Sequence, residues 1–260
     1  MPSPTGSEFT GYTEIHAVPV WGIGEVQPGD SVADLIIDAL ALGGFRLHVG
    51  DILAVKHKIV SKAEGRQVEL KTIKPSKAAV RFATQNDADP RVVELALREA
   101  KRVLRKKHVL ITETAHGLVC ANSGIDVSNV DGGKTALLLP LDPDLSAARI
   151  HRQVKKRTTL HIPVIIADSF GRAWREGLNE VAIGVAGMHP MHDYRGHFDT
   201  YGYKMHATEE CVADELASLA GLVCGKDALV PACIIRGYRY RPGKGSARQI
   251  VRPAARDLFR

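Results

Sequence analysis

A run of six apolar residues, IPVIIA (Ile162–Ala167), comes four residues after the segment DLSAARIHRQVKKR and is followed at once by Asp168. A run of this length is far too short to cross a bilayer and predicts a buried strand. The segment before it is predicted as a helix. Because helices and strands are mixed along the chain without a strict β–α–β rhythm, the sequence predicts a mixed α/β fold of the α+β type.

Capping signals set the limits of the other predicted helices. One begins after Ser31, and one begins at the Asp89-Pro90 pair and ends in the basic residues around Lys107; a third runs from Thr208 to Gly225. Strands are predicted at GDILAVKH, RQVELKTI, HVLITET, ALLLP, VAIGVAGM and LVPACIIRG.

Composition restricts the class of protein. The 260 residues are 45% hydrophobic, enough for one large domain or two small ones, and the net charge of +6 is compatible with nucleic acid or with phosphorylated small molecules. The four cysteines are widely spaced, which favours reduced thiols in a cytoplasmic protein. The first residues lack the features of a signal peptide, so we expect no membrane segment and a cytoplasmic location.

The first candidate site is VCANSGIDVSNVDGG. Its Asp126 carboxylate and Asn129 amide supply the oxygen ligands that Mg²⁺ and Mn²⁺ prefer, and the glycines allow a ligand to approach the backbone. The alternative is a turn in which these side chains bond their own backbone, and the residues alone favour that turn.

The second candidate site is VIIADSFGRAWR, where an apolar strand is predicted to end at a carboxylate. Asp168 and Ser169 could bind a metal ion, and Arg172 and Arg175 could bind phosphate or carboxylate. The alternative is an Asp helix cap followed by surface arginines, and the sequence leaves the two interpretations even.

The third candidate site lies where the strand GDILAVKH ends. Lys56, Lys58 and Lys62 could neutralise phosphates there, with His57 between them, although an exposed turn is the simpler interpretation. The P-loop pattern is absent.

The fourth candidate is the histidine-rich loop MHPMHDYRGHFDTYGYKMH. His189 and His192 lack the spacing of a regular zinc site, so the loop is better interpreted as polar, with Asp193, Arg195 and Asp199 facing a substrate.

Taken in order, these segments resemble the coenzyme F420-0:L-glutamate ligase family, the gamma-glutamyl ligases of deazaflavin coenzyme biosynthesis. The resemblance is carried by GDILAVKHKIVSKAEGR, DPRVVEL, ITET, GLVCANSGIDVSNV, LLLPLDPDLSA, VIIADSFGRAWREG, EVAIGVAG, DYRGHFDTYG, VADELASLAGLVCGK and IIRG. No single motif is decisive, but their order along nearly the whole chain is very specific.

The resemblance implies a two-part fold with mixed sheets and an intertwined homodimer. It implies a flexible tail at residues 1–11 and one ligase domain at residues 12–260, without the nitroreductase-like domain of some relatives.

The implied reaction uses GTP to phosphorylate the terminal carboxylate of F420-0, after which L-glutamate attacks the acyl phosphate through its amine. The resemblance also implies two divalent ions, Mg²⁺ or Mn²⁺, together with K⁺. It gives the metal ions to Asp126, Asp168 and Ser169. We expect the catalytic residues to be Asp126, Asp168, Arg172 and Arg175. The implied GTP contacts are Ile23, Gly24, Glu25, Val26, His57, Lys62 and Asn129.

Two positions depart from the family pattern. His57 stands where Ser or Thr is usual, and Leu178 stands where Gln is expected. They keep open a related amide ligase with another phosphorylated acceptor, while the positive charge keeps open a non-enzyme that binds GTP or nucleic acid.

Overall fold

The computed structural model describes residues 14–128 and 132–258. Six α-helices lie in this part of the chain: α1 Val32–Leu42, α2 His57–Ala63, α3 Lys77–Asn86, α4 Pro90–Glu99, α5 Pro143–Thr158 and α6 Val212–Cys224. The same residues form twelve strands: β1 His16–Pro19, β2 Ile52–Lys56, β3 Gln67–Glu69, β4 Ala100–Lys107, β5 Val109–Thr114, β6 Val119–Ala121, β7 Thr135–Leu137, β8 Val164–Arg172, β9 Arg175–Ala186, β10 His192–Asp193, β11 Glu209–Glu210 and β12 Ala232–Arg236.

A five-stranded mixed sheet in the order β1-β12-β2-β8-β9 organises the larger part of the fold. Strands β2 and β8 are parallel, and the other neighbours are antiparallel. Helices and mixed sheets together confirm the predicted α+β class. No helix in the described residues has the length and apolarity needed to cross a bilayer.

Both faces of this sheet are covered, which explains why the stretches 52–55, 164–167 and 232–235 of its central strands are apolar at every position. Leu53 and Val55 of β2 pack in one core cluster with residues of α1 and α5. Ile52 and Ala54, which point the other way, pack in a second cluster with residues of α6. Small residues are needed on β9, because a Cβ atom at Gly184 would collide with the main chain of α5.

A smaller region contains a three-stranded sheet, β4-β5-β6, and a two-stranded sheet, β3-β7. Helices α3 and α4 pack on Leu110 of β5 to form its core. The arm formed by β10 and β11 is a further two-stranded sheet.

Several predicted helix limits are confirmed by the cap geometry. The Ser31 side chain accepts a hydrogen bond from the Asp34 amide, and Gly43 is the C-cap of α1. Asp89 caps α4 with Pro90 in its first turn, and Gly225 ends α6.

Two predicted helix limits are wrong. The helix that was expected to reach the basic cluster ends at Glu99, and the cluster forms strand β4. Pairing of β4 with β5 and the ion pair between Arg102 and Glu113 outweigh the helical spacing of the apolar residues. The helix expected from Thr208 begins at Val212, because Glu209–Glu210 pairs with His192–Asp193 instead.

Candidate functional site

A cavity of about 620 Å³ lies where the β2–α2 junction, the β8–β9 hairpin and the segment after α6 meet. Its wall includes nine of the predicted site residues: Ile23, Gly24, Glu25, Val26, His57, Lys62, Asp126, Asp168 and Ser169. Residues from distant parts of the chain therefore form one site. Asn129, the remaining predicted nucleotide contact, lies outside the described residues.

Strand β2 passes directly into helix α2, and this junction places three lysines along the cavity. Lys56 is the last residue of β2, whereas Lys58 and Lys62 belong to α2. The alternative of an exposed turn is wrong, because the Lys62 side chain is only 10% exposed and its Nζ atom lies 2.5 Å from Oε1 of Glu25. The segment Ile23–Val26 is thereby tied to α2.

Asp168 lies inside strand β8 rather than at its end, because the strand continues to Arg172. The helix-cap interpretation is therefore wrong. Asp168 Oδ1 accepts a hydrogen bond from the amide of Ser169 at 2.7 Å. The buried His57 ring brings Nε2 to 3.3 Å from the same oxygen, but the two atoms are not aligned for a hydrogen bond. The other ring nitrogen contacts Ser61 Oγ at 3.3 Å.

Asp126 reaches the cavity from the smaller region of the fold. Its main chain forms an isolated bridge with Leu137, which fixes its position beside β7. Its Oδ2 atom lies 2.7 Å from Lys58 Nζ, and Oδ1 accepts the Ser128 amide at 2.7 Å. Burial raises the pKa of Asp126, but the hydrogen bonds from Lys58 and Ser128 outweigh it, so the pKa is below its usual value.

Ser169 and Glu180 face each other across the β8–β9 hairpin. Ser169 Oγ donates to Glu180 Oε1 at 2.6 Å, and Lys56 Nζ lies 2.5 Å from the same oxygen. Lys226, just after α6, donates a hydrogen bond to Ser169 Oγ. Sequence reasoning missed both residues, although Glu180 begins the motif EVAIGVAG and Lys226 ends the motif VADELASLAGLVCGK.

Four lysines and four carboxylates line the cavity, and the lysines pair with three of the carboxylates. Lys58 pairs with Asp126, Lys62 with Glu25, and Lys56 and Lys226 with Glu180. The wall is therefore close to electrically balanced. A polyanionic ligand would have to draw lysines away from these carboxylates or bring cations with it.

The structure places the two predicted arginines elsewhere. Arg172 and Arg175 are the paired residues at the tip of the β8–β9 hairpin, where both are exposed. Arg172 lines a separate cavity of about 730 Å³, formed partly by β5 and β6. The structure does not bring these side chains to the Asp126 and Asp168 cavity, and their catalytic role stays a prediction.

The histidine-rich loop also lies away from this cavity. Its Arg195 pairs with Asp193 and with Glu209, and the first of these contacts lowers the pKa of Asp193 to about 2. Within the described residues, no three His, Cys, Asp or Glu side chains lie close enough together to hold a metal ion.

Three of the four cysteines are buried and Cys211 is half-buried, and all are free thiols. Cys224 lines the cavity. A hydrogen bond from Cys233 lowers its pKa, whereas burial raises the pKa of Cys120 to about 12.

A smaller cavity of about 470 Å³ adjoins the first one. Leu178, Ser169, Glu180 and Lys226 line both cavities. Leu178 is 62% exposed, so the junction offers an apolar surface as well as charge. Together, the two spaces could take a nucleotide and a second substrate side by side.

The four lysines of this cavity could bind the anionic groups of a small molecule. The chain belongs to the F420-0:gamma-glutamyl ligase family, which matches residues 22–237, and it is thus a ligase of the kind that forms amide bonds. The non-enzyme alternative is therefore not supported.

Curated relatives agree with this assignment. The chain is 46% identical over 250 residues to the Coenzyme F420:L-glutamate ligase of Methanothermobacter thermautotrophicus, covering 95% of this chain and 99% of that protein. It is 42% identical over 213 residues to the protein of the same name from Methanocaldococcus jannaschii, covering 81% and 85%. The Archaeoglobus fulgidus ligase is 37% identical over 247 residues, covering 95% and 96%.

Proposed function

We propose that this protein is a GTP-dependent ligase that joins L-glutamate to coenzyme F420-0 through an acyl phosphate. The observation that carries the proposal is one cavity lined by nine predicted nucleotide and metal residues from four separate segments of the chain. The relatives named above supply the identity of the acceptor and of the amino acid.

The carboxylates of Asp126 and Asp168 provide oxygen ligands of the kind that a divalent cation prefers. Both carboxylates line the same cavity, and the Lys58 ammonium already lies on Asp126 where a cation would be attracted. A bound Mg²⁺ or Mn²⁺ would neutralise negative charge on the nucleotide phosphates. The buried Nε2 atom of His57 has no hydrogen-bond partner and could bond to a ligand oxygen.

The lysines of α2 suit the phosphates of the nucleotide. Lys62 is nearly buried, and its partner Glu25 is 66% exposed, so the carboxylate can turn to water while the ammonium turns to phosphate. Lys58 becomes available for phosphate once Asp126 takes another cation. Phosphoryl transfer depends mainly on such positioning and charge neutralisation, and no covalent protein nucleophile is needed.

The chemical steps balance with these substrates alone. A carboxylate oxygen of F420-0 forms a bond to the γ-phosphorus of GTP, and GDP leaves. The amine nitrogen of L-glutamate, after losing a proton, then attacks the carbonyl carbon, and phosphate leaves with the former carboxylate oxygen. The adjoining cavities allow the acyl phosphate to form in one space and meet the amine from the other.

The test is incubation of the purified protein with F420-0, L-glutamate, GTP and Mn²⁺, with products measured by mass spectrometry. We expect glutamate adducts that depend on all four components and GDP in equal amount to the amide bonds formed. The absence of an adduct would contradict the ligase assignment for this acceptor. Equal product with ATP in place of GTP would contradict the nucleotide preference alone.

A related acceptor remains the second candidate, because exposed Leu178 provides an apolar surface at the junction of the two cavities. The same assay with other phosphorylated carboxylic acids distinguishes F420-0 from a related acceptor as the preferred substrate. Faster turnover of one of these than of F420-0 would favour the second candidate.

The proposed oligomer is a homodimer of this chain, and the proposed additional cation is K⁺. Sedimentation velocity tests the homodimer. A sedimenting mass near that of one chain would contradict it. Activity in Na⁺ compared with K⁺ buffers tests the second.

A further inference from the structure

The side chain of His57 contains a buried nitrogen that has no partner. The residue is only 2% exposed, and its Nε2 atom makes no hydrogen bond within the described part of the chain. A ring nitrogen that is removed from water costs free energy unless a ligand satisfies it. Because His57 lines the cavity of about 620 Å³, we expect that ligand to come from the cavity.

This nitrogen faces the carboxylate of Asp168, with 3.3 Å between Nε2 and Oδ1. The two atoms are not aligned for a hydrogen bond, so a proton does not bridge them. The other ring nitrogen, Nδ1, lies 3.3 Å from Ser61 Oγ and can donate to it. With the proton on Nδ1, the lone pair of Nε2 points towards a negatively charged oxygen. A cation between the two atoms would replace this repulsion with attraction to both.

The spacing of the two atoms suits two ligands of one metal ion. Ligand atoms about 2.0–2.2 Å from a metal, at angles of about 90–110°, lie about 2.8–3.6 Å from one another. The 3.3 Å between Nε2 and Oδ1 is within this range. Among the described residues, Asp168 forms no ion pair with a lysine or arginine, whereas Asp126 pairs with Lys58. The Asp168 carboxylate is thus the one that lacks a permanent positive charge beside it.

We propose that Nε2 of His57 is a ligand of the divalent ion at Asp168, so that the metal site of this protein contains nitrogen as well as oxygen. Two protein ligands suffice, because an ion that serves nucleotide phosphates keeps its other positions for phosphate oxygens and water. The inference rests on the proposed function, since it concerns the ion of the same nucleotide site. It gives His57 a role different from the nucleotide contact that the family resemblance implies.

A nitrogen ligand changes which ions the site prefers. Imidazole suits Ni²⁺ and Zn²⁺, whereas Mg²⁺ prefers oxygen ligands. Ser or Thr, which are usual at this position in the family, would leave only oxygen ligands there. We therefore expect this protein to favour Ni²⁺ over Mg²⁺ more strongly than a variant without the imidazole.

The experiment is pulsed electron paramagnetic resonance of the Mn²⁺-loaded protein, with and without GDP, which detects nitrogen nuclei bonded to the ion. We expect a nitrogen signal whose frequencies change when the histidines are labelled with ¹⁵N. The measurement needs no substitution, so it does not depend on the folding of a variant. The absence of a histidine nitrogen on Mn²⁺ in both samples would overturn the inference.

His57→Gln identifies which histidine binds the ion. The glutamine amide can place an oxygen near the position of Nε2, so the nitrogen signal should disappear. Ni²⁺ affinity, measured by calorimetric titration, should fall at least about tenfold, and Mg²⁺ affinity should change less. His206→Gln is the matched control, because His206 is exposed and does not line the cavity. It should keep both the signal and the affinities of the unaltered protein.

A nitrogen signal that persists in His57→Gln would overturn the inference. So would weaker GTP binding in this variant with unchanged Ni²⁺ and Mg²⁺ affinities, because His57 would then be a nucleotide contact only. A protein that ligates glutamate without a histidine nitrogen on Mn²⁺ refutes this inference alone. A protein that shows the nitrogen signal but does not ligate refutes the proposed function alone.

Discussion

The ammonium of Lys58 lies 2.7 Å from Oδ2 of Asp126 and donates a second hydrogen bond, of 2.8 Å, to the main-chain oxygen of Ser128. This pair joins helix α2 to the loop after β6. It also means that a cation approaching Asp126 must compete with an ammonium group that belongs to the protein.

Replacing Lys58 with methionine should strengthen Mn²⁺ binding in the absence of nucleotide. The methionine stem keeps much of the packing, and the competing charge is removed. We expect about a tenfold gain in affinity, equivalent to ~1.4 kcal/mol, measured by calorimetric titration. Affinity for GTP should fall in the same variant, because Lys58 can no longer bind phosphate.

The outcome that would contradict this prediction is unchanged Mn²⁺ affinity in Lys58→Met with the protein folded. Lys71→Met is a suitable control, because Lys71 is 80% exposed and pairs with Glu69 outside the cavity. That variant should bind Mn²⁺ and GTP as the unaltered protein does.

Asp168→Asn should abolish ligation without unfolding the protein. The amide has the same shape, and its oxygen can still accept the hydrogen bond from the amide of Ser169. Loss of the negative charge removes the attraction for a cation. We expect at least a hundredfold loss of turnover, a change in melting temperature of a few degrees at most, and weaker Mn²⁺ binding.

The same result is expected for Asp126→Asn. Asp38→Asn serves as the control, because Asp38 is exposed on α1, pairs with Arg157 and does not line the cavity. Normal turnover of either site variant at saturating Mn²⁺ would remove that carboxylate from the metal site.

Lys62→Met should weaken GTP binding far more than it affects folding. A partly buried, charge-assisted hydrogen bond contributes ~1.5–3 kcal/mol, so GTP affinity should fall roughly tenfold to a hundredfold. The effect on stability should be smaller, because the partner Glu25 is 66% exposed and becomes hydrated. Calorimetric titration with GTP and thermal unfolding measure the two effects separately.

If GTP affinity is unchanged in Lys62→Met while the melting transition is intact, Lys62 is only the structural partner of Glu25. Glu25→Gln provides the complementary variant. It removes the competing carboxylate and should leave GTP affinity equal or higher.

Gly221→Ala should displace the side chain of Glu180, which faces Ser169 across the β8–β9 hairpin. A Cβ atom at Gly221 would lie 2.5 Å from Cγ of Glu180, so the glutamate must move away from α6. We expect a stability loss of about 1–3 kcal/mol from overpacking, together with weaker ligand binding, because Glu180 leaves its position against Lys56.

Gly171→Ala is the control for this change. The nearest atom to a Cβ there is 3.9 Å away, on Leu178, and Gly171 does not line the nucleotide cavity. It should be tolerated. Equal destabilisation by the two substitutions would mean that the contact between α6 and Glu180 is not the cause.

The sequence by itself determined the features that depend on neighbouring residues. Caps such as Ser31 and Asp89 hydrogen-bond to amides within three positions along the chain, so composition and spacing were sufficient to place them. The apolar strands were recognisable because their signal is also local, a short run of apolar residues. The ordered motifs also brought Asp126, Asp168 and Lys62 into one hypothesis, and the cavity confirms that they lie together.

Only the tertiary structure decided features that depend on pairing between distant segments. The basic segment after α4 has helical spacing, but its antiparallel partner β5 makes it a strand. Lys226 meets Ser169 across 57 positions, and Glu180 faces Ser169 because of the hairpin register. A sequence shows which charges exist, whereas their partners are set by how strands and helices pack. That packing places the ammonium groups of Lys56 and Lys226 around the single carboxylate of Glu180.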